Sequence, residues 1–490
     1  MIVKEKKQDF LSYLEDTSNL KGKAKVLFIP EEEKEVSFIL LQASQQRLPV
    51  TFSGAGTGTT GGRVPLEGAI LSLERLNKII DIDPKKKIVK AEAGVTLESL
   101  EKEVNKYALS FRALPTEPLA FLGGVISTSA SGVRGFKYSS VRKYVQKIKV
   151  AFSNGEIVEI PRGKFFANKR KFDFTLGRLK FKFNLPTYTS PQIKSSAGYY
   201  VRDNVDLIDL FIGQEGTLGC ILEAELSLQK AVPDYFDCLV FFDREESALN
   251  FVEEVKVLKE RGSFYPCALE YFDRNSLDFL SEDYPSIPSG NCGVYLEQEI
   301  NSSQEKSKVL DYWCSLIEKH SSLDKCWFAE DKKSKEKLSD FRHKLPQKIN
   351  EFLRRHHQEK CATDIAVPPQ HFREMYNFYE EKAKVSQINY VNFGHIGENH
   401  LHFNFLPKNS EESFKAKGYI WEFIRKAISL GGTVSAEHGI GKIKKPYLEI
   451  MYGKSYLKEM ALLKKVFDPS CILGLDNIFP QELLFENKNS

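Results

Sequence analysis

The sequence lacks long apolar runs and paired cysteines. Its eight cysteines are scattered over the 490 residues, and none lies in a CxxC pair. The pattern therefore gives no zinc-ribbon or iron–sulfur framework, and it predicts free thiols in a reducing compartment. No apolar run approaches the length of a membrane span, and no apolar segment follows the first lysines as in a secretory signal. We expect a cytoplasmic protein, or one bound peripherally to the inner membrane face.

A strong excess of one charge is also missing. A net charge of +4 over this length does not imply a nucleic-acid partner, and 42% hydrophobic residues are typical of a globular protein of two or three domains. One segment departs from this balance: residues 161–182 carry eight basic residues and one acidic residue, interleaved with phenylalanines. We interpret it as a mobile, solvated insertion, and the alternative is a surface that binds nucleic acid or, peripherally, an anionic membrane.

The most informative stretch is SGAGTGTTGG at residues 53–62. Its glycines allow a tight turn that exposes successive N–H groups, which suits a phosphate or pyrophosphate. The stretch also contains GxGxxG, but Pro65, Gly68 and an apolar run without helical period predict a loop and then a strand. A dinucleotide fingerprint needs a helix at this place, so the pattern argues against a Rossmann fold. A surface loop is the alternative.

Two further small-residue segments lie at 121–132 (FLGGVISTSASG) and 213–219 (GQEGTLG). Small residues let the backbone approach a flat ligand closely. Elsewhere, alternating patterns predict hairpins at 79–91 and 145–160, and Thr96 is a candidate helix N-cap. Strands and helices mix without regular βα alternation, which predicts an α+β fold with a domain boundary near 228–235.

Three of the nine histidines lie within GHIGENHLH, residues 394–402. Two predicted strands, 390–393 and 401–406, would place His395 opposite His400, and His402 would share their face. Three imidazoles on one face form the nucleus of a metal site. We prefer this reading to three structural histidines, although a slip of one residue would separate them.

A second candidate segment is GGTVSAEHGIGK, residues 431–442. Glu437 can complete a metal site of histidines and a carboxylate, and His438 can act as a general base. The alternative is a glycine turn that ends a helix, with an incidental Glu-His pair. Arg342 and Lys360 are possible carboxylate binders, but the residues alone do not separate them from surface charges.

Taken in order, these five segments resemble the FAD-linked oxidoreductases of the vanillyl-alcohol-oxidase type, in the branch of D-lactate, glycolate and D-2-hydroxyglutarate dehydrogenases. The resemblance covers residues 30–469. It implies a PCMH-type FAD-binding domain of two subdomains (1–230), an α+β cap domain with an antiparallel sheet (231–455) and a C-terminal segment that returns to the FAD domain (456–490).

The resemblance also implies roles for individual residues. His438 would take the substrate hydroxyl proton, His395, His402 and Glu437 would bind a divalent zinc, iron or manganese ion, and Arg342 and Lys360 would hold the substrate carboxylate. Thr57 stands where a flavin-linked histidine often occurs, so FAD would be non-covalent. The residues that would bind FAD are Ser53, Gly54, Ala55, Gly56, Thr57, Gly58, Gly61, Gly62, Gly123, Gly124, Ser127, Ser129, Ser131, Gly132, Glu215, Gly216 and Gly219.

The implied activity is oxidation of a small D-2-hydroxy acid to the 2-oxo acid. Electrons would pass to a quinone, a cytochrome, an electron-transfer flavoprotein or oxygen. A homodimer is one oligomeric state that the resemblance leaves open. Other alcohols, non-redox flavin chemistry and a silent FAD-binding subunit are the alternatives.

The chain departs from the family pattern at several positions. His400 replaces an asparagine, so it is either an added metal ligand or a substrate contact. The other departures are Ser129 for asparagine, Ser139 for glycine, Pro346 for a serine or threonine, and Gly474-Leu475-Asp476-Asn477 for Asn-Pro-Gly-Lys.

Overall fold

The computed structural model describes residues 1–262, 264–288, 292–329 and 331–485. These residues form two compact units. Unit 1 comprises Met1–Gly132, Ser139–Ala231 and the described residues from Ser435 onward, and unit 2 comprises Val133–Tyr138 and Val232–Val434. The chain thus returns to unit 1 at Ser435, earlier than the expected position 456, because the segment after Ser435 packs against the glycine-rich turns of unit 1.

Unit 1 contains two main sheets. The strands β1, β2, β4 and β3 form a four-stranded sheet in that order, in which β2, β4 and β3 are parallel. The strands β5, β6, β12, β8 and β9 form a five-stranded antiparallel sheet. The strands of unit 1 are β1 Ile2–Lys4, β2 Val26–Ile29, β3 Val50–Ser53, β4 Ala69–Ser72, β5 Ile79–Asp83, β6 Ile88–Glu92, β7 Leu109–Ser110, β8 Val145–Ala151, β9 Ile157–Pro161, β10 Lys171–Leu176, β11 Leu179–Asn184, β12 Cys220–Ser227 and β13 Gln229–Lys230.

The helices of unit 1 cover these sheets or carry the glycine-rich segments. Helix α1 buries Val36, Ile39, Leu40 and Ala43 at helical spacing in a core with β3 and β4. Helix α2 begins after Thr96, whose side chain accepts a hydrogen bond from the N–H of Ser99, as the sequence predicts. The helices are α1 Glu33–Gln46, α2 Leu97–Asn105, α3 Leu122–Ser127, α5 Ile208–Phe211 and α12 Lys445–Phe467. No helix follows residues 53–62: the chain runs through a loop into β4, which confirms the argument against a Rossmann fold.

Unit 2 is built on an eight-stranded antiparallel sheet in the order β17, β14, β16, β15, β20, β21 and β18, with β19 also paired to β21. Helix α9 packs Leu338, Phe341, Leu345, Ile349 and Leu353 against it, a stripe with the 3–4 spacing of a helix face. The elements are α4 Gly135–Tyr138, β14 Asp234–Phe242, α6 Glu245–Glu260, β15 Ala268–Phe272, α7 Arg274–Leu280, β16 Cys292–Ile300, α8 Ser303–Glu318, β17 Cys326–Ala329, α9 Lys332–Arg355, β18 Cys361–Ala362, β19 Ile365–Ala366, α10 Phe372–Ser386, β20 Tyr390–Gly394, β21 His400–Phe405 and α11 Ser410–Ser429.

The interpretation of residues 161–182 as a mobile insertion is wrong. Strands β10 and β11 form an antiparallel hairpin within this segment. The ring of Phe181 packs on Phe467 at 5.2 Å and on Phe152 at 5.9 Å between ring centres, while Lys180 and Lys182 alternate outward. Phe172, Phe181 and Phe183 of the hairpin are therefore core residues, whereas Phe166 before it is exposed. The alternation of KFDFTL and LKFKFN was the strand signal in the sequence.

No helix of the described part of the chain is long and apolar enough to cross a membrane.

Candidate functional site

The first glycine-rich turn, residues 53–62, leaves β3 and forms an open loop in unit 1. Gly56 and Gly61 have φ values of +86° and +76°, which L-residues rarely adopt, and a side chain at Gly54 or Gly62 would meet no atom within 4 Å. Among the described residues, no hydrogen-bond acceptor engages the N–H groups of residues 55–60. The loop thus fits the pyrophosphate of FAD, since exposed glycine N–H groups bind anions.

Arg63 lies directly beneath this loop. Its guanidinium donates to the carbonyl of Gly54 at 3.0 Å and to the hydroxyl of Ser53 at 3.3 Å, and it fills the space where a side chain at Gly56 would lie. The cation stands close to the expected position of the pyrophosphate and favours negative charge there. Sequence reasoning missed this residue, although a basic residue directly after the glycines was a visible signal.

The other two glycine-rich segments join the first. The N–H of Glu215 donates to the carbonyl of Ser127 at 2.8 Å, which connects residues 213–219 to residues 121–132. The amide of Asn477 donates to the carbonyls of Gly62 at 2.9 Å and Glu215 at 2.8 Å. The three turns are therefore held together by backbone bonds and by one C-terminal amide, which the sequence showed only as a departure from the family pattern.

Two departures, one within the second segment and one seven residues after it, coincide with an unusual backbone conformation. Ser129 and Ser139 have φ values of 51° and 62°. Asparagine and glycine, which the family pattern has at these positions, adopt this left-handed region more readily than serine. The substitutions therefore cost some backbone strain but keep the chain path.

The loop that carries His438 is fixed to two of the turns. The carboxylate of Glu215 accepts the N–H of Ile440 at 2.8 Å and that of Gly441 at 2.6 Å. The hydroxyl of Thr60 donates to the carbonyl of His438 at 3.3 Å. Burial raises the pKa of Glu215 to about 7, against the opposing effect of these N–H groups. Glu215 is therefore a structural clamp of the His438 loop as well as a member of the third turn.

Lys442 also lies in this loop and was missed from the sequence. Its ammonium donates to the side chain of Asn477 at 2.6 Å, and its backbone N–H donates to the carbonyl of Thr60 at 2.9 Å. Burial lowers the pKa of Lys442 to about 8. A positive charge is thus held beside the first turn.

Glu437 belongs to unit 1, and its carboxylate is engaged there. The hydroxyl of Ser131 donates to Oε1 at 3.0 Å, and the ammonium of Lys194 lies 2.5 Å from the same oxygen. Lys194 and Glu437 are 8% and 10% exposed at their side chains, so their charges are mostly desolvated. Sequence reasoning did not identify Lys194, which lies 243 positions earlier in the chain than Glu437.

The three histidines of GHIGENHLH converge in unit 2. Phe393 pairs with His402, and the N–H of His400 donates to the carbonyl of His395 at 3.3 Å across the turn, which is the predicted register. The ring centres of His395 and His402 are 5.7 Å apart, and those of His400 and His402 are 4.4 Å apart. One ligand nitrogen from each of the three lies within 4.8 Å of the others.

Two buried carboxylates face these imidazoles. Oε1 of Glu270 lies 3.0 Å from Nδ1 of His395, and Oδ1 of Asp364 lies 3.0 Å from Nε2 of His400. Burial alone would raise the pKa of the Glu270 carboxyl, but the neighbouring Arg342 and His395 hold this pKa well below its ordinary value. Imidazoles that lie beside carboxylates and bring their ligand nitrogens within 4.8 Å of one another are typical of metal sites, so these residues fit a divalent ion.

The expected substrate binders are placed differently from one another. The side chain of Arg342 is 11% exposed. It donates from Nε to Glu270 at 2.5 Å and lies 4.9 Å from the ring centre of Tyr295. Lys360 is exposed just before β18. Arg342 is therefore part of the histidine–carboxylate network, whereas Lys360 lies at the surface of unit 2.

Two family models match the chain. Residues 24–161 match the model described as FAD binding domain, and residues 238–475 match the C-terminal domain of FAD linked oxidases. The two matches fall largely on unit 1 and unit 2, respectively.

Several curated proteins are similar over nearly the whole chain. A D-lactate dehydrogenase from Archaeoglobus fulgidus is 30% identical, with 92% of this chain and 90% of the relative covered. The glycolate oxidase subunit GlcD of Bacillus subtilis is 27% identical, with 92% and 88% covered. A D-2-hydroxyglutarate dehydrogenase from Xanthomonas citri is 24% identical, also with 92% and 88% covered.

A solved structure of alkyldihydroxyacetonephosphate synthase shares the fold. The TM-score is 0.67 at 16% identity, and 96% of this chain and 81% of that chain are covered. The similarity confirms the PCMH-type architecture expected from the sequence.

Proposed function

The chain belongs to the FAD-linked oxidase family, and from this premise we propose that it oxidises a small D-2-hydroxy acid to the 2-oxo acid with FAD as the electron acceptor. The names of its relatives support D-lactate, glycolate and D-2-hydroxyglutarate as the substrate candidates. The observation that carries the proposal is the clamp that fixes the His438 loop to the first and third glycine-rich turns. It keeps the candidate base on the element that would hold the cofactor.

The roles of the residues follow from their chemistry. FAD, held non-covalently by the three turns, supplies an acceptor for the hydride from the substrate carbon. His438 takes the hydroxyl proton as that hydride leaves, which avoids a free alkoxide. Arg342 donates its Nε–H to the carboxylate of Glu270. Its two terminal amino groups then bind the substrate carboxylate through two parallel hydrogen bonds. Lys360 is retained as a second candidate carboxylate binder.

A divalent ion is the second part of the proposal. His395 and His402 would bind it, with Glu437 as the carboxylate ligand implied by the family resemblance. Zinc, iron or manganese would act as a Lewis acid that lowers the pKa of the substrate hydroxyl. The carboxylate beside His395 supports this role, because it holds the ring in one orientation.

The first experiment is anaerobic bleaching of the flavin band. Purified protein reconstituted with FAD should be yellow, and one of D-lactate, glycolate and D-2-hydroxyglutarate should bleach it, whereas L-lactate should not. His438→Asn should slow bleaching by about 10²–10⁴-fold, the usual size of general-base catalysis. His371→Asn, which changes a partly exposed histidine, is the matched control. Flavin-loaded protein that none of the three acids reduces would reject the proposed substrate class.

The second experiment removes the metal. Chelation should abolish bleaching while FAD stays bound, and added zinc, iron or manganese should restore it. Glu437→Gln should weaken metal binding with no loss of FAD. If elemental analysis verifies that the metal is gone and turnover is still complete, the metal part of the proposal alone is contradicted.

A third experiment identifies the class of electron acceptor. It measures, by stopped flow, the oxidation of the reduced enzyme by a quinone, cytochrome c, an electron-transfer flavoprotein or oxygen.

A further inference from the structure

His400 stands where the family pattern has asparagine, and the structure gives this imidazole an unusual setting. It is 0% exposed, and its ring centre lies 4.4 Å from that of His402 and 5.5 Å from that of His395. His400 thus lies between two candidate ligands, with a ligand nitrogen within 4.8 Å of theirs, and this position suits binding of the same ion.

The backbone fixes His400 in this place. It is the first residue of β21, it pairs with Ala366 of β19, and its N–H bonds to the carbonyl of His395 at 3.3 Å. Asn399, directly before it, has a left-handed φ of 55°, which asparagine tolerates well and which closes the turn. The imidazole is thus held by strand pairing on one side and by a tight turn on the other.

The two carboxylates select which nitrogen each ring presents. Asp364 lies 3.0 Å from Nε2 of His400, and Glu270 lies 3.0 Å from Nδ1 of His395. A neutral imidazole that keeps its proton toward a carboxylate offers the lone pair of its other nitrogen. We therefore expect Nδ1 of His400 and Nε2 of His395 to be the ligand atoms, with the opposite nitrogen of each ring beside its carboxylate.

We propose that His400 is a third imidazole ligand of the divalent ion, so that unit 2 supplies three nitrogen ligands by itself. Asp364 and Glu270 are the positioning residues that orient His400 and His395. The inference rests on the metal part of the proposed function. It changes the ligand set from two histidines and a carboxylate to one that is dominated by imidazole.

The changed ligand set has a consequence for metal selectivity. Imidazole suits zinc, iron and copper, whereas carboxylate-rich sites suit manganese and magnesium. A neutral imidazole added by His400 takes no charge from the ion, so the ion keeps a net positive charge beside Glu437 to attract the carboxylate and hydroxyl of a 2-hydroxy acid. We expect zinc to displace manganese from the flavin-loaded protein at equal concentration.

The test measures zinc affinity of FAD-loaded protein by competition with a chromophoric chelator. His400→Asn should weaken zinc binding by more than about 10-fold, and Asp364→Asn by about 10-fold, the usual effect of a residue that orients a ligand. His320→Gln is the matched control, because Nε2 of His320 lies 2.7 Å from Glu254 in a histidine–carboxylate pair outside the cluster. It should bind zinc as the wild type does.

X-ray absorption of the zinc-loaded wild type gives a readout that needs no variant. Multiple scattering from three imidazoles would support the inference, and two imidazoles would overturn it. Zinc affinity of a folded His400→Asn protein equal to that of the wild type would also overturn it, while the proposed function would stand. A wild type that takes up no divalent metal would overturn both the inference and the metal part of the proposal, leaving hydroxy-acid oxidation to the bleaching test.

Discussion

At the scale of single residues, the chemistry depends on a few buried charges whose partners lie far away in the sequence. Glu215 is the clearest case. It belongs to the third glycine-rich turn, yet its carboxylate accepts two N–H groups from the His438 loop, more than 200 residues later. Its raised pKa reflects burial that these bonds do not fully offset.

This pKa predicts how stability depends on pH. The pKa of the Glu215 carboxyl is 4.5 in the unfolded chain and about 7 in the folded protein. The protonated carboxyl therefore stabilises the folded state fully below pH 4.5, and this stabilisation is lost as the pH rises to 7. At about 1.4 kcal/mol per unit, the flavin-free wild type should lose roughly 2–3 kcal/mol between pH 5 and 7.5 relative to Glu215→Gln. Guanidinium unfolding at the two pH values measures this.

A matched surface variant makes that comparison specific. Glu225→Gln changes a carboxyl that pairs with Lys147 at 2.8 Å near the surface of the same unit. It removes one carboxylate from the same unit without touching the His438 loop, and so controls for the loss of a charge. Equal slopes for wild type and Glu215→Gln would show that Glu215 does not titrate in this range.

At the scale of elements, the hairpin of β10 and β11 shows how one pattern serves two purposes. Its inward phenylalanines extend the core around Phe467 of α12, and its outward lysines keep the opposite face in water. The basic and aromatic residues that together suggested a membrane surface therefore lie on opposite faces. A membrane contact through this element would have to rely on charge.

Paired substitutions on adjacent residues of β11 test this division. Phe181→Ala should lower the free energy of unfolding by about 3–4 kcal/mol, because it leaves a cavity beside Phe152 and Phe467. Lys180→Ala should change it by less than about 0.5 kcal/mol, because its side chain is exposed. Similar losses for the two variants in chemical denaturation would mean that the hairpin does not pack as described.

At the scale of the whole molecule, the candidate cofactor residues lie in unit 1 and the histidine cluster lies in unit 2. The chain leaves unit 1 at Ala231 and returns at Ser435, so Glu437 and His438 belong to the unit that carries the glycine-rich turns. We therefore expect FAD to affect the glycine-rich turns of unit 1 and a divalent metal to affect the histidine segment of unit 2.

Hydrogen exchange followed by mass spectrometry tests this assignment. Addition of FAD should slow exchange in peptides from 53–62, 121–132 and 213–219, because their N–H groups gain acceptors or lose access to water. Zinc should slow exchange in peptides from 390–405. Protection by FAD that is absent from all three turns would contradict the cofactor site, and protection by zinc confined to other peptides would contradict the metal site.

Sequence alone was sufficient wherever the determining pattern is local. Pro65, Gly68 and an apolar run without helical period excluded a helix after residues 53–62, and the turn at 396–399 determined the register that sets His395 opposite His400. Backbone conformation over a few residues depends on the residue types in that stretch, so these features could be predicted.

Only the tertiary structure decided which distant groups meet. Nothing in the local sequence assigns Glu270 to His395, Asp364 to His400 or Lys194 to Glu437, because such pairs depend on how the strands and loops are packed. The tertiary structure also decided which face of the hairpin is buried. Alternation in the sequence places phenylalanines and lysines on opposite faces but does not show which face packs against the core. The sequence determined the candidate ligands, and the packing of distant segments determined their charges, orientation and partners.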